Sequence, residues 1–253
     1  MNYVIRFSLL ILTFVFLVSS IHGQDADADR LFSEIERRSN AIKYESGQVK
    51  MSIFDARGRS RVREIDSWSY NEGDVSKVLV RFQSPADVRG TALLTLQEGN
   101  QDSQKLYLPA IGRIQTIGAA QLSDRFMGSD FLFDDLRPVD YADFKFQVLS
   151  KSPDKWTVRG TPSSERTFAY AEYVVDPVRY VMMEAVYYNA AGKATRKLTV
   201  SDIQEVMSGI WRGNLLEMRD LLTNRRTELL WKNRVFDKTI PSSTFTEREL
   251  TRF

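Results

Sequence analysis

The sequence predicts an α+β protein built on one largely antiparallel sheet with few helices, and three observations carry that expectation. Short stretches of alternating apolar and polar residues recur from Val49 to Phe236, the period-two pattern of half-buried strands. Many are separated by short polar turns, which join antiparallel neighbours, whereas parallel strands need long crossovers. Helical spacing is confined to segments near the two ends and to one apolar stretch in the middle.

The first residues read as a secretory signal peptide: Arg6 supplies positive charge, Phe7 to Val18 is strongly apolar, and Ser19, Ser20 and Gly23 are small. Residues 1–23 are assigned to it and 24–253 to a single domain that begins at Gln24. The apolar run is short for a bilayer span, and the acidic segment Asp25 to Asp29 follows it directly. The expected location is the periplasm, with the processed protein soluble.

A first helix is expected over Asp29 to Lys43, where Leu31, Phe32, Ile35 and Ile42 fall near helical spacing and Asp27 or Asp29 can cap the start. Asp25, Asp27, Asp29 and Glu36 also match the acidic positions of a calcium loop. Arg30 stands where that loop needs glycine, so an acidic tail leading into a helix explains the same letters. Strands follow. Val49, Met51 and Ile53 alternate with polar neighbours; Val62, Ile65 and Trp68 carry a second strand; Val78, Val80 and Phe82 share one face of a third, with Lys77, Leu79 and Arg81 opposite.

Beyond the middle stretch the pattern resumes at Ala142, Phe144, Phe146 and Val148. It continues through Trp156 to Gly160, Ala169 to Asp176, Val178 to Asn189, Ala194 to Val206, Leu215 to Leu222 and Thr227 to Phe236, about ten strands in all. In Val178 to Asn189 one face carries Tyr180, Met182, Val186 and Tyr188 and the other Val181, Met183, Ala185 and Tyr187, so something must cover both. A short closing helix is expected over Pro241 to Leu250, with Ser242, Ser243 or Thr244 as cap and Phe245 and Leu250 as anchors.

The middle stretch, Ser84 to Leu136, holds two proline-alanine corners, Pro85-Ala86 and Pro109-Ala110, each leading to a glycine beside an arginine. Gln121 to Arg137 is expected to be partly helical, with Ser129 capping Asp130 to Leu136. Phe126, Met127, Phe131, Leu132, Phe133 and Leu136 point in all directions, as in a buried segment or a lid over something apolar. Asp130, Asp134 and Asp135 are expected on the wet side of that lid.

Composition removes most chemistry. With 35 basic and 33 acidic residues the net charge is +2, no case for nucleic acid. There is no cysteine, and the single histidine, His22, falls inside the assigned signal peptide. The processed protein therefore has no Ser-His or Cys-His pair and no usual zinc site. Carboxylate-only hydrolysis, Ser-Lys chemistry and magnesium or calcium sites survive composition, but no spacing singles out a general acid among Asp130, Asp134, Asp135, Asp140 and Asp143. Ser39 and Lys43 miss the Ser-x-x-Lys spacing by one place. No catalytic residue, metal or cofactor is expected, and the methionine and phenylalanine content favours binding to an adaptable apolar shape.

Three blocks in order carry a resemblance: Pro85-Ala86-Asp87-Val88-Arg89-Gly90-Thr91-Ala92-Leu93, Leu106-Tyr107-Leu108-Pro109-Ala110-Ile111-Gly112-Arg113, and Phe126-Met127-Gly128-Ser129-Asp130-Phe131. Gly209-Ile210-Trp211, Met218, Thr227, Ile240-Pro241, Phe245 and Leu250 extend it. The chain resembles the LolA-like family of outer membrane lipoprotein-sorting proteins. The resemblance implies a strongly curved antiparallel sheet, an incomplete β-barrel covered on its concave side by a few helices. It further implies an apolar cavity for a lipid or lipoprotein acyl chain, used in sorting toward the outer membrane. The other reading it leaves open is an accessory subunit of an RND-type exporter, or an envelope-stress sensor, with no carrier role. The expected partners are acyl chains and an RND-type inner-membrane transporter, and the expected state is monomeric. Weighted toward the lid and its nearest strands, the candidate ligand-binding residues are Val80, Phe82, Leu94, Leu96, Tyr107, Phe126, Met127, Phe131, Phe133, Met183 and Tyr187.

Overall fold

The computed structural model describes residues 26–99 and 101–252; the signal-peptide assignment, His22 and Asp25 lie outside them. Helix α1 spans Ala26–Asn40, with Asp27 and Asp29 in its first turn and Arg37 and Arg38 in its last, the signs that suit the helix dipole. These acids are part of a helix start and not of a metal loop. The helix ends three residues short of the expected Lys43, where Arg212 Nη2 donates to the carbonyls of Ser39 at 2.9 Å and Arg38 at 3.3 Å. Those last-turn carbonyls would otherwise lack partners.

Among the described residues thirteen strands follow, more than periodicity alone suggests. They are β1 (Tyr44–Phe54), β2 (Ser60–Glu72), β3 (Val75–Ser84), β4 (Ala92–Glu98), β5 (Gln101–Leu108), β6 (Arg113–Ile117) and β7 (Phe144–Lys151). After them come β8 (Trp156–Pro162), β9 (Tyr170–Asp176), β10 (Val181–Tyr188), β11 (Ala194–Met207), β12 (Ile210–Asp220) and β13 (Arg225–Phe236). All pairings are antiparallel, and β1 pairs with β13 as well as β2. The order β6-β5-β4-β3-β2-β1-β13-β12-β11-β10-β9-β8-β7 is therefore a meander that nearly closes on itself, among the described residues an incomplete barrel open between β6 and β7. Residues 118–143 connect those two edges.

The two proline-alanine corners are turns of this meander. Pro85 to Thr91 joins β3 to β4, with Gly90 at φ 79° donating to the Phe82 carbonyl. Pro109–Ile111 forms a 3-10 turn closed by Gly112 at φ 62°. Both glycines occupy left-handed backbone that a side chain would strain.

Alternation along the strands separates two faces. Val80 and Phe82 of β3, Leu93 of β4 and Leu106 of β5 face inward with Val49, Met51, Ile53 and Ile65. Leu79, Ala92, Leu94 and Tyr107 face the other way, under Ile240, Phe245 and Leu250 of the C-terminal segment. That segment is a 3-10 turn (Ser242–Phe245) followed by helix α2 (Glu247–Leu250), shorter than the expected helix; its N-cap position is Thr246, without a side-chain capping bond, and not Ser242, Ser243 or Thr244, although both expected anchors are buried. On the other half of the barrel α1 lies against the inner face: Ala28, Leu31, Phe32 and Ile35 pack with Phe144, Phe146, Val158, Tyr173, Ala185, Leu198 and Met218.

Two strand assignments shift. In β2 the inward residues are Arg63, Ile65 and Ser67, while Val62 is exposed and Trp68 packs outward. In β10 the strand begins at Val181, and Val178 lies in an exposed turn. A register shift between Met182 and Glu184 reverses the parity, so Tyr180, Met182, Ala185 and Tyr187 share the inner cluster. A bulge of this kind cannot be seen in strict alternation.

Gly160 shows how tightly the α1 side is packed. A Cβ there would lie 2.8 Å from Tyr173 Cε2 and 2.9 Å from Phe146 Cε1, and Phe146 is itself stacked on Phe32 at 4.1 Å between ring centroids. Gly160→Ala is expected to destabilise the fold by about 1–3 kcal/mol through overpacking, read as a lower urea midpoint with unchanged slope.

Candidate functional site

The segment 118–143 is the feature this barrel is built around, and it is not a helical lid. It contains four short 3-10 turns, Ala119–Gln121, Phe126–Gly128, Asp134–Leu136 and Tyr141–Asp143, together with one isolated bridge between Arg125 and Leu132. Ser129 ends the second turn and caps no helix. The segment is a plug lying inside the open side of the barrel. Phe126 and Phe133 enter the inner cluster of β1–β6, and Phe131 enters the cluster under α1.

The clustered aspartates expected on the wet side of this segment lie inside instead. Asp130 and Asp134 are buried at 0% and 4% exposure, and Asp135 is nearly so, 9% of its side chain being exposed. They are the dry side of the plug, each facing a polar residue supplied by the barrel. Asp130 receives the Thr227 hydroxyl at 2.8 Å, while its own N–H donates to Thr227 Oγ1 at 2.9 Å. It pairs with Arg125 and, at 3.3 Å, with Arg225 Nε. Arg125 also binds Asp220 at the end of β12, and Arg225 Nη2 donates to the Gly128 carbonyl at 2.8 Å. Asp134 accepts from Thr167 N–H at 3.0 Å, Thr167 Oγ1 at 2.9 Å, Arg137 at 3.0 Å and Arg166 at 3.1 Å. It thereby ties the plug to the β8–β9 loop. Asp135 pairs with Arg196 of β11 and accepts the Leu132 N–H at 2.7 Å.

Two further inward residues grip plug carbonyls: Arg63 of β2 donates to Met127 and Gln104 of β5 to Phe133, the latter at 3.1 Å. Arg63 also sits over the Phe82 ring at 5.6 Å. Arg63, Gln104, Arg196 and Thr227, polar positions on a largely apolar inner wall, are thus fastenings for one irregular segment. An unpaired group there would carry the desolvation penalty of a buried polar atom.

Environment splits the two adjacent carboxylates. Burial pushes Asp134 up, but the Thr167 N–H and hydroxyl and the Arg166 guanidinium outweigh it and hold the carboxyl below its ordinary value. Burial dominates at Asp135, which is raised despite Arg196 and has Asp134 as a like-charged neighbour. At Asp220 burial is again outweighed, by N–H donors of Thr223 and Leu222 and by Arg125, so its carboxyl is lowered. Burial raises the Tyr187 phenol and pushes that of Tyr141 up to about 12, so both stay neutral.

The structure distributes the eleven candidate ligand residues among three groups. Val80, Phe82, Phe126, Met127 and Phe133 come together in the inner cluster of β1–β6. Phe131 and Tyr187 belong to the α1 cluster, and Met183 is half-buried at the β10 register shift. Leu94, Leu96 and Tyr107 pack on the outer face beneath the C-terminal segment. None lines the main open pockets among the described residues. A polar cleft of about 580 Å³ opens beside the plug, with Glu36, Asn71, Asp74, Gln97, Arg137 and Tyr141 in its wall and Val78 and Leu136 on its apolar side.

Residues 74–252 match the model of a protein family described as "-like: Uncharacterized protein". The chain belongs to that family. Its fold is LolA-like, as the three sequence blocks imply. A crystal structure of a candidate outer membrane lipoprotein-sorting protein domain from Vibrio parahaemolyticus superposes with a TM-score of 0.84 at 24% identity, covering 90% of this chain and 100% of that one. A DUF1329 family protein from Desulfovibrio piger gives 0.83 at 21% identity, covering 90% and 99%. A LolA superfamily protein from Nitrosomonas europaea gives 0.67 at 16% identity, covering 86% and 98%. No curated protein matches the chain.

Within this LolA-like barrel the plug-fastening residues Arg63, Gln104, Arg125, Arg166, Arg196, Asp220, Arg225 and Thr227 are those that sequence reasoning missed. The available signal was polar residues at inward positions of strands: Arg63 two places before Ile65, Gln104 two before Leu106, Arg196 two before Leu198 and Thr227 two before Leu229. Among the described residues no helix is long and apolar enough to cross a membrane, and no group of acidic side chains is arranged to hold a metal ion.

Proposed function

We propose that this protein is a non-enzymatic periplasmic carrier or receptor for a lipid or lipoprotein acyl chain, acting in sorting toward the outer membrane. The observation that carries the reading is the plug. The concave face of an open LolA-like barrel is filled by an irregular segment rich in phenylalanine, joined to the sheet through side-chain fastenings, with one isolated bridge as its only strand-like pairing. Such a filler can be exchanged. Water can satisfy the released ion pairs, and an acyl chain can replace Phe126, Phe131 and Phe133 against the wall, gaining about 0.8 kcal/mol per buried methylene.

In this reading Val80 and Phe82 form the wall that the chain meets once Phe126, Met127, Phe131 and Phe133 withdraw, with Tyr187 on the α1 side and Met183 at the β10 register shift. Leu94, Leu96 and Tyr107 back the wall from the outer face. The reading is supported by the LolA-like fold, by the sorting-protein likeness of the Vibrio domain and by the export-type leader in the sequence.

Gentle extraction of the full chain from its native envelope, followed by lipid mass spectrometry, tests it. An acylated molecule is expected to copurify in near-equal amount. Repeated recovery of empty protein that also fails to bind a fatty-acyl probe would contradict the proposal, and capture of an exporter or signalling protein by that empty form would point to the accessory-subunit reading.

A further inference from the structure

Antiparallel topology gathers six connections at one end of the barrel: residues 55–59, 85–91, 109–112, 163–169, 189–193 and 221–224. The plug tip comes to this end as well, through Arg225 bonding Gly128 and Arg63 bonding Met127. Charge is distributed unevenly here. Arg57, Arg61, Arg89 and Arg113 are exposed, and among the described residues none has a carboxylate partner. Most other arginines of the protein are ion-paired. The exposed acids nearby are Asp87 and Glu165; Asp55 is engaged by Arg59 at 2.7 Å.

One of these, Arg61, converges with two arginines that already have partners. Arg59, Arg61 and Arg225 line one pocket of about 380 Å³ with Ile53, Asp55 and Ser60. Asp55 offsets Arg59, which leaves Arg61 unpaired and Arg225 shared between the pocket and the plug, where Asp130 is 3.3 Å away. The pocket is flanked by apolar tips that nothing covers: Leu222 is 55% exposed, Val62 42% and Leu221 40%. Arg61, which has no partner, and Arg225, whose Nη1 is left over from its contacts with Gly128 and Asp130, give a recess of that size donors that suit a tetrahedral oxyanion.

We propose that this pocket binds a phosphate group, with Arg61 and Arg225 as its principal donors. The shared chemistry is a phosphate mono- or diester, carried by a lipid headgroup at a membrane surface or free in solution. The flanking leucines and valine favour the headgroup, since apolar tips beside unpaired arginines match the boundary between headgroups and acyl chains of an anionic bilayer. An anion in the pocket would touch the same guanidinium that holds Gly128 and Asp130, so occupancy and plug fastening share one residue. The inference rests on the pocket and not on acyl carriage.

Co-sedimentation of the full chain with phosphatidylcholine vesicles, with and without phosphatidylglycerol, tests it alongside titration with inorganic phosphate. Binding to the anionic vesicles is expected, weakening with salt. Arg61→Ala, at an exposed position, is expected to lose about tenfold in affinity. Leu222→Asp is expected to lose vesicle binding while leaving inorganic phosphate binding unchanged. Phosphate binding sensitive to Arg61→Ala without vesicle binding would support the site with a soluble source. Equal binding to neutral and anionic vesicles, no binding of either probe, or an Arg61→Ala protein indistinguishable from the parent would overturn it. If that happens while fatty-acyl probe binding persists, the carrier reading stands and only the phosphate site falls.

Discussion

Asp134→Ala is expected to cost about 3–5 kcal/mol of folding stability, the range for breaking a buried ion pair by removing one partner. The carboxylate is 2% exposed and Arg166 8%, so the change would leave a guanidinium in the interior with its main partner gone. It would also strip Thr167 of the acceptor for both its N–H and its hydroxyl. The loss is larger than for a surface pair because Asp134 and Arg166 are both buried.

The pH dependence follows from the same residue. A carboxyl held below its unfolded value contributes stability that is present above about pH 4, the ordinary aspartate range, and is lost as pH falls through the folded value. Asp220 adds to this with the same sign. Asp135, being raised, opposes it, favouring the fold as pH drops toward its unfolded value. Denaturant titrations from pH 7 downward should therefore show the parent losing stability below about pH 4, and the Asp134→Ala protein losing less over the same interval.

Much of the barrel was legible because alternation reports half-buried strands directly. Val80 and Phe82 against Leu79 and Arg81 is the pattern that the structure shows. What alternation hides is where register slips and where an inward position is polar on purpose. The shift after Met182 swapped the faces of half a strand, and Arg63 in place of Val62 as the inward residue of β2 follows from the plug carbonyl it binds. The plug itself misled for a related reason. A run of apolar residues with a serine ahead of it suggests a capped helix, and clustered aspartates suggest solvent. Both inferences assume a local explanation, whereas Asp130, Asp134 and Asp135 are explained by partners distant in sequence, Thr227, Arg166 and Arg196. Phe131 and Phe133 were recognisable as buried, but not the two different clusters they enter.

Asp130→Ala should act differently from Asp134→Ala, because Asp130 holds the plug tip to β13, whereas Asp134 holds the plug to the β8–β9 loop. Its arginine partners are about a third exposed and can turn to water, so their contribution is discounted. The buried exchange of hydrogen bonds with Thr227 is the main loss, about 1–3 kcal/mol for the hydroxyl left without an acceptor. If the plug occupies the acyl chamber, that energy is taken from the closed state, and apparent ligand affinity rises with the fraction of open protein. Fluorescent fatty-acid titration of the parent and the Asp130→Ala protein, both verified as folded by circular dichroism, measures this directly. Saturable binding to both is expected, with about fivefold or more tighter binding to Asp130→Ala. Folded Asp130→Ala protein that binds no probe, or binds it no better than the parent, would contradict the claim that the plug stands where a ligand goes.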